Sequence, residues 1–195
     1  MAYTVETGEL GLIDLYIADT AGPGPEFFSG AAAGTYGRLN FPGMVVRGTD
    51  LNLGGGAFIF AKAAGAVTPG TVCELTQVVT NGRYDVSAQA WAGAANTGKP
   101  ICVAVATLAS GAWGWFQVQG LAVTTVQGAP VAGNPVYWQA SGVISPTAVA
   151  SKQVLNAQFA SAPAVTIGTG SNAVVLGATT ALVLLNWPCA QSAIT

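Results

Sequence analysis

From Gly43 to the C-terminus, short β-prone runs alternate with breaks rich in Gly, Asn and Ser. No stretch sustains a 3.6-residue apolar period between helix caps. The runs fall at residues 44–47, 57–62, 71–80, 83–87, 101–107, 113–119, 121–126, 135–138, 143–145, 153–159, 164–167, 173–176 and 181–185. Asn81-Gly82 reads as a hairpin turn, because both residue types tolerate positive φ, and Ser141-Gly142 reads as a second one. Gly120 reads as a bend between two strands. Within 113–119, Trp113, Trp115, Gln117 and Gln119 share one face, and Gly114, Phe116 and Val118 share the other. Turn signals at about 8–12-residue spacing predict an all-β fold over residues 43–195, an antiparallel β-sandwich or barrel.

Charge divides the chain unevenly. Residues 100–195 carry one charged side chain, Lys152, where an average domain of that length holds about two dozen. Such a surface gives a lone monomer little to keep it apart from its neighbours. The expectation is a chain that works assembled, as a homo-oligomer or against a partner. Glu6, Glu9, Asp14, Asp19 and Glu26 put five acids and no base into residues 1–26. No basic patch suits phosphate, so nucleic acid is not expected as a partner. The most apolar window, residues 173–187, is interrupted by Thr179 and Thr180. It falls short of about 18 uninterrupted apolar residues, so two strands are expected there and no membrane span. The N-terminus lacks a basic region followed by an apolar one, and no signal peptide is expected.

Residues 1–42 differ from the rest. Ala21-Gly22-Pro23-Gly24-Pro25, Ser29-Gly30-Ala31-Ala32-Ala33-Gly34-Thr35 and Phe41-Pro42-Gly43 break helix and strand alike. Only residues 12–17 could form a short regular element. The segment reads as an extended Gly/Pro-rich N-terminal arm ordered against a neighbour, with Phe27, Phe28, Tyr36 and Phe41 as contact residues.

Chemistry is sparse. There is no histidine, which removes His-based triads, His metal ligands and the usual proton shuttle near neutral pH. All eight acids precede residue 86. Glu74 and Asp85 are close enough in sequence to share a hairpin, and with Arg83 beside them surface ion pairing is the expected use. Gly54-Gly55-Gly56 lacks the Lys and Ser/Thr of a phosphate loop. It reads as a flexible turn or a place where another backbone comes close. Cys73, Cys102 and Cys189 show neither disulfide nor zinc spacing and read as small buried hydrophobes. No cofactor, metal or catalytic residue is expected. The tryptophans Trp91, Trp113, Trp115, Trp138 and Trp187 serve either a core, a subunit interface or sugar stacking. Trp113, Trp115, Phe116 and Trp138 are the candidates for an oligomer interface or its supporting core.

Several segments resemble capsid decoration, or cement, proteins of tailed bacteriophages. They are Gly55-Gly56-Ala57-Phe58-Ile59-Phe60-Ala61-Lys62, Gly98-Lys99-Pro100-Ile101-Cys102-Val103-Ala104-Val105-Ala106 and Trp113-Gly114-Trp115-Phe116-Gln117-Val118-Gln119-Gly120. Pro135-Val136-Tyr137, Lys152-Gln153-Val154-Leu155 and Leu185-Asn186-Trp187-Pro188 continue the likeness, which leaves residues 1–42 unmatched. The resemblance implies a non-enzymatic virion component, made in the host cytoplasm and carried on the outer surface of the head. Its implied partners are the major capsid protein and copies of itself, with a trimer favoured over a dimer. A head-fibre or tail component, or a carbohydrate-binding adhesin module, is the alternative.

Overall fold

Alanine and cysteine recur on one face of several strands: Ala57, Ala61 and Ala63, then Cys73, Ala88, Cys102 and Ala104, all fully buried. Side chains this small let strands curl around a narrow interior. The computed structural model describes residues 4–5, 42–80, 83–170 and 173–193. Its strands are β1 (Thr4–Val5), β2 (Val45–Asp50), β3 (Gly54–Ala63), β4 (Val72–Thr80), β5 (Arg83–Ala90), β6 (Ile101–Ala104) and β7 (Trp113–Thr125). They continue with β8 (Pro135–Ala140), β9 (Val143–Ser145), β10 (Gln153–Phe159), β11 (Thr166–Ile167), β12 (Val174–Val175) and β13 (Thr180–Ala190). The all-β expectation holds. No helix among the described residues is long and apolar enough to cross a membrane.

The principal sheet closes on itself in part. β3 pairs with β5, β5 with β4, β4 with β6, β6 with β7, and β7 returns to β3. These five strands form a barrel whose interior is the alanine and cysteine set together with Ile59, Leu75, Val86, Phe116 and Val118. A barrel of so few strands has room only for side chains, with small ones set against large ones. One ladder is parallel, with Lys62 opposite Ser87 and Ala63 opposite Ala88. The purely antiparallel expectation is corrected there. Strands β3 and β5 are separated in sequence by β4, and closing the ring leaves β5 running alongside β3.

Beyond the barrel, β7 continues into a flanking sheet ordered β7-β13-β10-β8-β9. Its inner face (Ala122, Val126, Val136, Trp138, Ile144, Val154, Phe159, Val183 and Leu185) packs on Val72, Ile101 and Val103, which point out of the barrel. A third cluster covers the opposite side, where Phe58, Phe60 and Trp115 meet Val174, Leu176 and Leu182. Strand β2 pairs with β3 on one side and with the edge strand β1 on the other, with Thr4 opposite Thr49 and Val5 opposite Gly48. At the β2–β3 turn, Asp50 Oδ1 accepts hydrogen bonds from the backbone N–H of Asn52 (2.8 Å) and Leu53 (2.9 Å), the arrangement that suits Asp to turns.

Gly120 does not end a strand, contrary to the expectation. β7 runs through it, because the residue adopts φ 92° and the local register against β3 shifts by one residue, between Ala57 and Phe58. A Cβ here would run into the carbonyl oxygen of Gly55. Gly54-Gly55-Gly56 is therefore the start of β3 at a close backbone crossing, which is the second of its two expected uses. The buried Gln117 amide closes the same spot. Its Nε2 donates to the carbonyls of Gln119 and Leu121, each at 3.1 Å. Carbonyls freed by a bulge are thus paired internally, as buried polar groups must be.

Candidate functional site

The expected interface aromatics fall into distinct places. Trp113 and Trp115 share the outer face of β7, where Phe60 lies between them, with ring centroids 5.5 Å from Trp113 and 5.2 Å from Trp115. Trp115 is buried and Trp113 half-buried. Phe116 points the other way, into the barrel. Trp138 lies in the flanking core, far from this trio in the pairing order. Its Nε1 donates to the carbonyl of Trp91 at 2.9 Å, and the two rings sit 5.5 Å apart. Gly93 makes room for it: at φ 102° a Cβ would strike the Trp138 ring. Phe27, Phe28, Tyr36 and Phe41 lie outside the described residues, as do residues 12–17.

Charged groups do not gather into a reactive centre among the described residues. Glu74 stands opposite Gln89 and Asp85 opposite Val78, four positions apart along one ladder. The structure does not bring the two carboxylates together. Glu74 instead takes a hydrogen bond from Thr97 Oγ1 at 2.7 Å and pairs with Lys99 Nζ at 3.4 Å. Among the described side chains its ion partner thus comes from the loop before β6. Asp85 Oδ1 is buried with no hydrogen-bond partner among the described residues. Lys152 stands immediately before β10, with Nζ 4.5 Å from the centroid of the Trp138 ring, a cation–π placement. Cys73 and Cys102 are opposite one another on β4 and β6, buried and unbridged. Burial, reinforced by the neighbouring Cys73 thiol, pushes the Cys102 thiol well above its ordinary range. No described group of three His, Cys, Asp or Glu side chains could hold a metal ion.

The most irregular part of the flank is where β10 meets β8 and β13. Val154 is opposite Val136 and Gln158 opposite Pro135, so Leu155, Asn156 and Ala157 fit against a single step of β8. On the other side the register with β13 also shifts between Leu155 and Ala157. Bulges of this kind re-aim side chains. Here Asn156 takes φ 58° and Trp187, facing the same stretch from β13, takes φ 51°. Asn visits this left-handed region readily, but a bulky indole there is strained, by about 1–3 kcal/mol. Pro188 explains the bulge on β13, since it can donate no ladder hydrogen bond.

An open cavity of about 380 Å³ occupies this irregularity, lined by Pro135, Asn156, Ala157, Gln158, Leu184 and Asn186 together with Gly133. Gln158 Nε2 donates to the Gly133 carbonyl at 2.9 Å, and the residue is exposed. No side-chain hydrogen bond to a described residue occupies Asn156 or Asn186. Trp187, the next residue along β13, is half exposed. These amides escape a reading of the sequence because they have no motif. The signal that was present is Asn186-Trp187-Pro188, a proline inside a β-prone run, which marks a bulge.

No protein-family model and no curated protein matches the sequence. Among solved structures, the chain is similar to the head fiber gp8.5 N base in bacteriophage phi29, at 12% identity and a TM-score of 0.44. That match covers 68% of this chain and 95% of the other.

Proposed function

We propose that this chain is a non-enzymatic structural component of a tailed-phage head. It binds the outer surface of the shell and bridges neighbouring major capsid subunits, acting as a homo-oligomer, with a trimer favoured over a dimer. The observation that carries the reading is the surface of the C-terminal half. Val131, Leu155, Val175, Leu184 and Trp187 stand exposed there as large apolar side chains, and Lys152 is the one charge in the sequence of that half. Interface cores are depleted of charge and enriched in aromatic residues in this way. The sequence resemblance adds support, because its most distinctive segment, residues 113–120, is used as framework. Trp113 and Trp115 pack with Phe60, Phe116 fills the barrel, and Gln117 and Gly120 make the bulge. A residue set spent on scaffold suits a protein whose task is rigid attachment, and several copies in one oligomer would turn weak single contacts into strong avidity.

The test mixes purified chain with expanded heads that lack it. Light scattering on the free chain reads an oligomer, sedimentation with the heads reads binding, and the midpoint of head disruption on heating rises when the chain is bound. A monodisperse monomer that ignores the heads overturns the reading. Electron microscopy of the decorated particle separates its two forms. Density lying across adjacent capsid subunits supports bridging, whereas density projecting from a single attachment point identifies a head-fibre component instead.

A further inference from the structure

We propose that the cavity between β8, β10 and β13 is a binding site for a neutral carbohydrate, with Asn156, Gln158 and Asn186 as its hydrogen-bonding residues. The cavity, at about 380 Å³, falls in the lower part of the roughly 300–1,000 Å³ range of small-molecule sites. Its walls combine two chemistries. Pro135, Ala157 and Leu184 offer apolar surface, and the three amides offer donors and acceptors together. A sugar ring has that same character, with C–H faces and hydroxyl edges that both donate and accept. Trp187, the next residue along β13, is half exposed but does not itself line the cavity.

Other ligand classes fit less well. Among the described residues no carboxylate lines the cavity to hold a cation, and no Lys or Arg lines it to hold an anion. Lys152, the only charge in this half, is engaged over the Trp138 ring. A purely apolar ligand would strip water from three amides without replacing it. An extended peptide would need an open strand edge, and β10 is paired on both sides. The backbone points the same way. The left-handed residues Asn156 and Trp187 lie on the two strands that border the cavity, and strain kept in a folded structure concentrates at ligand sites. The inference does not depend on the head assignment, since a free sugar and a cell-surface polysaccharide present the same neutral rings.

The experiment uses the full chain in its native oligomeric state. Methyl glycosides of glucose, galactose and N-acetylglucosamine are titrated and followed by calorimetry and by NMR of the side-chain amides. Binding to immobilised neutral bacterial polysaccharide is measured in parallel. At least one neutral sugar should bind with a Kd of about 1 mM or tighter, and the amide signals of Asn156, Gln158 and Asn186 should move. Asn186→Ala and Asn156→Gly should each weaken binding about tenfold while the melting temperature is kept. The glycine variant retains the left-handed backbone and removes only the amide. Binding of the free glycosides identifies a site for single rings, and binding of polysaccharide alone identifies a surface glycan as the source. Absence of binding in both arms at about 10 mM sugar, ten times the expected Kd, overturns the proposal. Sugar binding that leaves those three amide signals unmoved also overturns it, even where a variant fails to fold.

Discussion

The barrel and the flanking sheet share β7, yet they solve the packing problem in opposite ways. The barrel closes its ladders and fills a narrow interior with alanines, cysteines and a few large side chains. The flank is open and irregular. It places tryptophans in its core and leaves amides and an indole exposed at a double bulge. Regular pairing leaves few polar groups for anything outside the chain. Irregular pairing leaves several, and the candidate binding groups lie there. The difference teaches that the regular scaffold and the candidate binding groups are separated between two regions of one sheet system.

The largest test of that separation is at their joint. Gly120→Ala forces a side chain into a left-handed backbone and against Gly55, and should cost about 3 kcal/mol or more from strain and overpacking together. Denaturant unfolding followed by circular dichroism and tryptophan fluorescence reads it. Coincident loss of both signals keeps barrel and flank as one cooperative unit. Early loss of only one breaks them into two.

A smaller effect should come from the barrel interior alone. Burial holds the Cys102 thiol protonated, so its folded pKa lies above the unfolded value. The folded state then holds the proton more tightly, and the stability linked to this group is complete below the unfolded thiol pKa of about 8.5. It declines as pH rises through and beyond that value. Stability measured from about pH 7 to 10 should fall in the wild-type protein, and the fall should be shallower in Cys102→Ala. Identical slopes would remove the thiol from the account. The flank offers the smallest effect. Lys152→Ala removes the cation from the Trp138 ring and should cost about 0.5–1 kcal/mol by denaturant titration. A cost well above that would mean the flank depends on Lys152 as heavily as the joint depends on Gly120.

Local chemistry was legible in the sequence, and non-local pairing was not. The β4–β5 ladder extends to Thr80 opposite Arg83, while Asn81-Gly82 lies outside the described residues. Ser141 and Gly142 both take positive φ between β8 and β9, and β10 spans Gln153–Phe159 as its β-prone run indicates. The return of β7 to β3 and the parallel β3–β5 ladder join residues far apart in sequence, and no nearby residue signals them. Gly120 was ambiguous for a related reason. A glycine marks a bend or a close approach alike, and only the presence of Gly55 decides between them. The cavity amides were illegible because Asn156 and Asn186 become neighbours through two bulges. Glu74 and Asp85 share a hairpin as the spacing indicates, but the ladder register holds them apart.

One strand, β7 (Trp113–Thr125), is laddered to β3 and β6 at one end and to β13 at the other. A tug on the flank that runs along this strand reaches the barrel as sliding force parallel to its ladders. The rungs must then give way together rather than unzip in turn. Tension directed along β7 would therefore meet the greatest mechanical resistance, and a sideways pull on the outermost strand β9 would peel first.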